Sequence, residues 1–139
     1  MTGNALIEDP SVCQGKTTIL VVEDDVLTRM AVSEELREHG YGVIEAATAD
    51  EALCVLQGPT RIDLLVTDMR MPGAVDGVGL ARHVRAVLPF VKIVMVSGQA
   101  PEPDAHLMLD GYLAKPVAPS HLASYLLTLT PTGLPAEAS

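Results

Sequence analysis

The sequence is poor in the residues that bind nucleic acids and in those that form disulfide frameworks. Only 9 of its 139 residues are lysine or arginine, against 18 aspartates and glutamates, and aromatic residues make up 3% of the chain. A net charge of −9 repels a polyanion, so direct binding of DNA or RNA is not expected. The two cysteines, Cys13 and Cys54, lie far apart without CxxC spacing, which favours reduced thiols over a disulfide or a structural zinc site.

Long hydrophobic runs are also missing. The longest, TILVV and VKIVMV, fall far short of the roughly 18 residues that cross a bilayer. The N-terminus, MTGNALIEDPSVCQGK, has no basic start followed by an apolar stretch. We therefore expect a cytoplasmic protein that does not contact a membrane.

Short apolar runs alternate with stretches of helical spacing, which is typical of βα units and a parallel sheet. A hydrophobic content of 48% over this length suits one domain. The fold class expected is α/β: a doubly wound, flavodoxin-like fold with five strands in the order 2-1-3-4-5 and helices on both faces. The predicted strands are Thr18 to Val22, Gly42 to Glu45, Ile62 to Thr67, Val91 to Val96, and Gly111 to Ala114.

Helical spacing and capping residues predict five helices. They are Val26 to His39, a second opened by a Thr48–Glu51 capping box, a third capped by Asp76, a fourth near Asp104 to Leu109, and a last helix from Ser120. The fourth is expected to be short or irregular, because Pro101 and Pro103 crowd its start. The predicted domain covers residues 17–129, with flexible tails at 1–16 and 130–139.

Carboxylates follow two of the predicted strands. Glu23 and Asp24 come directly after strand one, and Asp68 follows strand three. These strands are neighbours in the expected sheet order, so their carboxyl ends meet at one crevice. Two carboxylates about 4 Å apart repel by roughly 4 kcal/mol at an effective dielectric constant of 20, so a cluster of three needs a counter-charge. Mg²⁺ prefers such oxygen ligands.

Two more strand ends contribute polar groups. Strand four ends near Ser97, and strand five runs into Lys115. A metal ion, an ammonium and a hydroxyl around one carboxylate stabilise the oxygens of a phosphoryl group in transfer. Asp68 is therefore predicted to be a nucleophile that forms an aspartyl phosphate.

The segments ILVVEDD, LLVTDMRMPGAVDG, IVMVSG and YLAKP, in this order and at these spacings, resemble the receiver domain of two-component response regulators over about Thr17 to Leu129. The resemblance implies a role for each matching residue. Asp68 corresponds to the phosphoacceptor, with the catalytic residues Lys115 and Ser97 beside it. The residues that correspond to Mg²⁺ ligands are Glu23, Asp24, Asp68 and, through its backbone carbonyl, Arg70. Ser97 and Tyr112 correspond to the switch residues, and Pro116 corresponds to a proline that follows a cis peptide bond.

The same resemblance implies how such a domain works. A cognate sensor histidine kinase or a phosphotransfer protein supplies the phosphoryl group, and catalysis is limited to the domain's own phosphorylation and dephosphorylation. Ser97 then moves toward the phosphoryl group, Tyr112 turns inward, and the altered surface binds a downstream protein that the sequence does not identify. No output domain follows Leu129, so a stand-alone receiver is expected, monomeric or forming a weak phosphorylation-dependent dimer.

Three departures from the family pattern are visible. Glu23 stands where aspartate is commoner, and the loop between Pro72 and Asp76 is one residue longer than usual. The stretch from Ser97 to Lys115 is several residues shorter, and the deletion falls on the fourth helix.

Two alternative functions remain at this point. A pseudo-receiver would bind partners without being phosphorylated, but its usual sign is loss of the nucleophile, an acid or the lysine, and all of these are present. A phosphohydrolase of the haloacid dehalogenase type would need DxD after strand one, where this sequence has EDD.

Overall fold

A computed structural model describes residues 16–71, 73 and 75–130. Its described residues form one five-stranded parallel sheet in the order β2-β1-β3-β4-β5, which confirms the predicted fold and strand order. The strands are β1 Thr18–Val22, β2 Gly42–Ala46, β3 Leu64–Asp68, β4 Lys92–Ser97 and β5 Gly111–Ala114. The predicted tails lie outside the described residues apart from Lys16 and Thr130, and so do Pro72 and Ala74 in the lengthened loop.

The five helices are α1 Val26–Glu38, α2 Ala49–Gln57, α3 Gly77–Val87, α4 Pro103–His106 and α5 Pro119–Leu127. Side-chain caps open the first three: Asp25 accepts from the backbone N–H of Thr28, Thr48 from that of Glu51, and Asp76 from that of Gly79. Such caps satisfy backbone donors that the first turn of a helix leaves unpaired. None of the described helices has the length and apolar character needed to cross a membrane.

Apolar side chains on the two faces of the sheet form two separate cores. On β1, Leu20 and Val22 pack with residues of α2 and α3, whereas Ile19 and Val21 pack with residues of α1 and α5. All five residues of this strand are buried. Successive side chains of a strand point to opposite faces, so a strand covered on both faces is apolar throughout.

Helix α4 is a single turn, and an arginine fixes the chain that follows it. The Arg85 guanidinium, on α3, donates to the carbonyl oxygen of Met108 from Nη2 at 2.8 Å and to the carboxylate of Asp110 at 2.7 Å. The same Asp110 oxygen accepts from the N–H of Ile93 on β4 at 2.8 Å. We call these contacts the Arg85 clamp. They hold the entry to β5 where a longer helix would otherwise supply packing.

Candidate functional site

Four predicted site residues come together because four strands end in nearly the same register. The paired residues at these ends are Val22 with Thr67, Asp68 with Val96, and Ser97 with Ala114. Glu23 and Lys115 immediately follow β1 and β5, while Asp68 and Ser97 are the last residues of β3 and β4. The carboxyl edge of the sheet therefore carries two acids, a hydroxyl and an ammonium within a few residues of one another.

Lys115 is the centre of the ionic contacts at this edge. Its Nζ lies 2.7 Å from Oδ2 of Asp68 and 3.7 Å from Oε1 of Glu23. The side chains of Glu23 and Asp68 are only 12% and 13% exposed, and that of Lys115 is 36% exposed. Two largely enclosed carboxylates thus share one partly exposed cation.

Burial and neighbouring charges shift two pKa values in this pocket. Burial raises the pKa of Glu23, and the backbone N–H of Asp25 and the charge of Lys115 offset only part of that rise. Burial lowers the pKa of Lys115, but its hydrogen bond to Asp68 and the charge of Glu23 outweigh this, so the pKa lies above its usual value. The lysine is charged at neutral pH, and the negative charge around it is only partly compensated.

The donor set fits a magnesium ion. Glu23, Asp24 and Asp68 each offer a carboxylate oxygen, and these oxygens lie within 4.8 Å of one another. Mg²⁺ takes oxygen ligands, commonly one or two carboxylates with several waters and a phosphate oxygen. Glu23, Asp24 and Asp68 are the residues that would hold it. Lys115 alone cannot balance three carboxylates, so the charge of the pocket also favours a cation.

Ser97 and Tyr112, the two predicted switch residues, are linked in the structure. The Ser97 side chain is 4% exposed, and its hydroxyl oxygen accepts from the N–H of Gln99 at 3.1 Å. The Tyr112 hydroxyl donates to the carbonyl of Ser97 at 3.3 Å, and its ring lies 6.4 Å from that of His106. The hydroxyl of Tyr112 therefore faces the end of β4.

The loops after β3 and β5 complete the edge of the site. The Arg70 side chain is exposed and donates to Oε1 of Gln99 at 3.1 Å, which links the loop after β3 to the loop after β4. The peptide bond between Lys115 and Pro116 is cis. A cavity of about 470 Å³ opens beside the lysine, lined by Glu23, Thr28, Val96, Lys115, Pro116 and Val117.

Sequence reasoning missed the contribution of Gly77. A Cβ atom on this residue would lie 1.8 Å from the carbonyl oxygen of Asp68. The N–H of Gly77 donates to the carbonyl of Met69 at 2.9 Å, so α3 begins directly against the end of β3. Only glycine permits this approach. The motif contained the glycine, but nothing local indicated which backbone it meets.

Comparison with known proteins agrees with the fold. The doubly wound five-stranded sheet is also the fold of receiver domains of response regulators. The family described as the response regulator receiver domain matches residues 19–127, and the chain belongs to this family.

Individual relatives are of several kinds. The chain is 36% identical over 123 residues to sensor kinase CckA of Brucella abortus, a match that covers 85% of this chain and 13% of the relative. It is 34% identical over 114 residues to the transcriptional regulatory protein AruR of Pseudomonas aeruginosa, covering 76% of this chain and 46% of the relative. The chain thus spans less than half of the length of either relative.

Solved structures give the same fold. A CheY-like receiver domain protein from Methanospirillum hungatei superposes with a TM-score of 0.74 at 28% identity, covering 82% of this chain and 93% of that one. The response regulator TrrA from Thermotoga maritima, solved in complex with Mg²⁺ and BeF, superposes with a TM-score of 0.72 at 28% identity, covering 82% and 99%.

Proposed function

We propose that this chain accepts a phosphoryl group on Asp68 from a phosphohistidine of a sensor histidine kinase or a phosphotransfer protein. The unit that does so is residues 17–129. The contact between Lys115 Nζ and Asp68 Oδ2 at 2.7 Å, beside the carboxylates of Glu23 and Asp24, is the observation that supports this function most directly. We place the exchange in the cytoplasm, where reduced Cys13 and Cys54 are expected.

Asp68 acts as the nucleophile. In the transfer, an oxygen of its carboxylate forms a bond to phosphorus, the bond from phosphorus to the donor's imidazole nitrogen breaks, and the electron pair of that bond stays on the imidazole. A carboxylate nucleophile has no proton to lose when it attacks, so this step needs no general base. Lys115 fixes one carboxylate oxygen, which orients Asp68 and restricts its rotation.

Charge on the transferring group is stabilised by this chain's own donors together with a metal. Lys115 offers an ammonium, and Ser97 offers a hydroxyl once it leaves the N–H of Gln99. When bound between the carboxylates, Mg²⁺ would neutralise negative charge on the phosphoryl oxygens. Ser97 ends β4 and Lys115 follows the adjacent strand β5, so both groups lie at the same edge of the sheet as Asp68.

The output is a change in protein contacts. Movement of the Ser97 hydroxyl toward the phosphoryl group releases the N–H of Gln99, and through Gln99 it affects the side chain of Arg70. It also alters the carbonyl that Tyr112 contacts. The loop after β4 and the start of β5 are therefore the surface that a downstream protein reads. The chain acts as a monomer or as a weak dimer that forms on phosphorylation.

Incubation with acetyl phosphate tests the proposed function. With Mg²⁺ present, we expect the intact mass to rise by one phosphoryl group and no continuing release of phosphate beyond slow decay. Asp68→Asn should abolish the mass change, and Asp104→Asn, at an exposed position of α4, should leave it intact. Sustained turnover would indicate a phosphohydrolase, and no modification in the unaltered chain would indicate a pseudo-receiver.

A further inference from the structure

Arg29 joins the acidic pocket to the neighbouring strand β2. Its Nη1 donates to the backbone carbonyl oxygen of Glu23 at 2.8 Å, and its Nε donates to Oε1 of Glu45 at 3.2 Å. The side chain is 16% exposed, so both bonds are largely shielded from water. This guanidinium lies on α1, one turn after the Asp25 cap.

The hydrogen bond from Arg29 to Glu23 fixes the peptide group that joins Glu23 to Asp24. The N–H of Glu23 donates to the carbonyl of Ala46 at 3.1 Å, which is the last backbone bond between β1 and β2. The Glu23 carbonyl belongs to the planar peptide that leads to Asp24, so a hydrogen bond to this oxygen sets the orientation of both residues. Arg29 therefore fixes the direction of the backbone after the hydrogen bonds between β1 and β2 end.

Glu45 balances the charge of Arg29 and holds it in place. Its second carboxylate oxygen lies 3.4 Å from Nη1 of Arg37, which also donates from Nη2 to the carbonyl of Val43 at 3.2 Å. Glu45 thus divides its single negative charge between Arg29 and Arg37 and anchors the guanidinium of Arg29. Its role at Glu23 is geometric, because a guanidinium presents several donors at fixed angles.

We propose that Arg29 is a positioning residue for the metal-binding acid pair: it ties the peptide between Glu23 and Asp24 to Glu45 of β2. This inference rests on the proposed function, since it concerns the same magnesium site. Substitution of a residue that hydrogen-bonds to a metal-ligating residue typically changes the metal affinity by 10- to 100-fold. Glu23 has one more rotatable bond than aspartate, so ordering its carboxylate costs more conformational entropy.

Arg37 provides a matched control. It contacts the same Glu45 carboxylate and a β2 carbonyl but makes no contact with Glu23. Arg29→Met and Arg37→Met each remove a guanidinium from Glu45, so an effect that arises only from loss of α1 packing would appear in both. Arg29→Lys keeps the charge but cannot make two bonds at the same fixed angles.

The test is a titration with Mg²⁺ followed by two-dimensional amide NMR, with urea unfolding to measure stability. We expect Arg29→Met to weaken Mg²⁺ binding about tenfold, Arg29→Lys to weaken it less, and Arg37→Met to leave it unchanged. At saturating Mg²⁺, Arg29→Met should be phosphorylated by acetyl phosphate at close to the rate of the unaltered chain.

Two results would overturn the inference. One is equal weakening of Mg²⁺ binding by Arg29→Met and Arg37→Met, and the other is unchanged affinity in both Arg29 variants. Neither result affects the proposed function. If the unaltered chain binds no Mg²⁺ or is not phosphorylated, the proposed function fails, and the inference fails with it.

Discussion

Lys115 donates a hydrogen bond to Asp68 at 2.7 Å although the two residues are 47 positions apart in the sequence. Their strands are separated by β4, so the contact bridges two inter-strand spacings, about 10 Å of sheet. Only a long side chain can span this distance. The pair therefore depends on the sheet order and on the common register of the strand ends.

Replacement of this lysine separates its two effects on the site. In Lys115→Gln, we expect phosphorylation by acetyl phosphate to slow by about 100-fold, because one donor to the transferring group is lost. Mg²⁺ affinity should stay the same or rise, since the variant removes a cation that competes for the carboxylates. Mass spectrometry over time and an NMR titration measure the two quantities. Lys92→Gln, at an exposed position where β4 begins, is the control. Similar slowing in both variants would contradict a specific role of Lys115 in phosphorylation.

Ser97 should be needed for the response to phosphorylation more than for phosphorylation itself. With Mg²⁺ and beryllofluoride, a stable mimic of the phosphoryl group, amide signals of Gln99 and Tyr112 should shift in the unaltered chain. In Ser97→Ala we expect these shifts to shrink at least severalfold, because no hydroxyl moves from the N–H of Gln99. Ser97→Thr retains the hydroxyl and should retain the shifts. Equal shifts in all three proteins would exclude Ser97 as the switch.

The close approach of α3 to β3 should make Gly77 intolerant of any side chain. We expect Gly77→Ala to reduce the free energy of unfolding by about 3 kcal/mol, because the new Cβ must displace the backbone next to Asp68. This loss exceeds the gain of about 1 kcal/mol in helix propensity. Gly98→Ala, where a Cβ has no heavy atom within 4 Å, should change stability by no more than about 0.5 kcal/mol. Urea unfolding measures both.

Tyr41 should make stability depend on alkaline pH. The residue is 1% exposed, and its hydroxyl makes no hydrogen bond of ordinary length within the described part of the chain. Burial raises the pKa of Tyr41 above that of a tyrosine in the unfolded chain. As the pH rises above about 10, the tyrosine therefore ionises first in the unfolded chain, and the free energy of unfolding falls. Tyr41→Phe removes this dependence and should match or slightly exceed the unaltered chain at pH 7. Urea unfolding of the two proteins at pH 7 and above pH 10 measures this dependence. Equal losses of stability above pH 10 in Tyr41→Phe and in the unaltered chain would contradict the assignment to Tyr41.

The sequence predicted the order of elements well because most signals were local. Most strands were apolar runs, and the caps at Thr48 and Asp76 act as their positions suggested. Helical spacing alone does not decide burial. Thr28 shares the four-residue spacing of the buried Val32 and Leu36 but is exposed, and Val87, three residues after the buried Val84, is 58% exposed.

Element ends were less accurate. The last helix begins at Pro119, one residue before the predicted Ser120, since proline suits the first helical position. Strands β3 and β4 each start later and end later than predicted, and therefore include Asp68 and Ser97. The loss of paired partners in the sheet, rather than the end of an apolar run, determines where a strand stops.

The components of the site were predictable, but the contacts that support them were not. Acids, hydroxyl and lysine each lie at the end of a strand or just after it, and the sheet order brings them together. The link from Arg29 to Glu45 joins residues 16 positions apart on different elements, and no local pattern marks it. The same is true of the contact between Arg85 and Asp110, which joins residues 25 positions apart.

The single turn of α4 limits how far a rearrangement can travel. Four helical residues extend about 6 Å, and the Arg85 clamp fixes the backbone at Met108, just beyond them. In the proposed function, motion that starts at Ser97 therefore runs along the chain for roughly ten residues before it meets an anchored segment. A partner that distinguishes the two states would read this short stretch, where Leu107 is 86% exposed, together with the start of β5, because α4 as described is too short to carry the change to a distant surface.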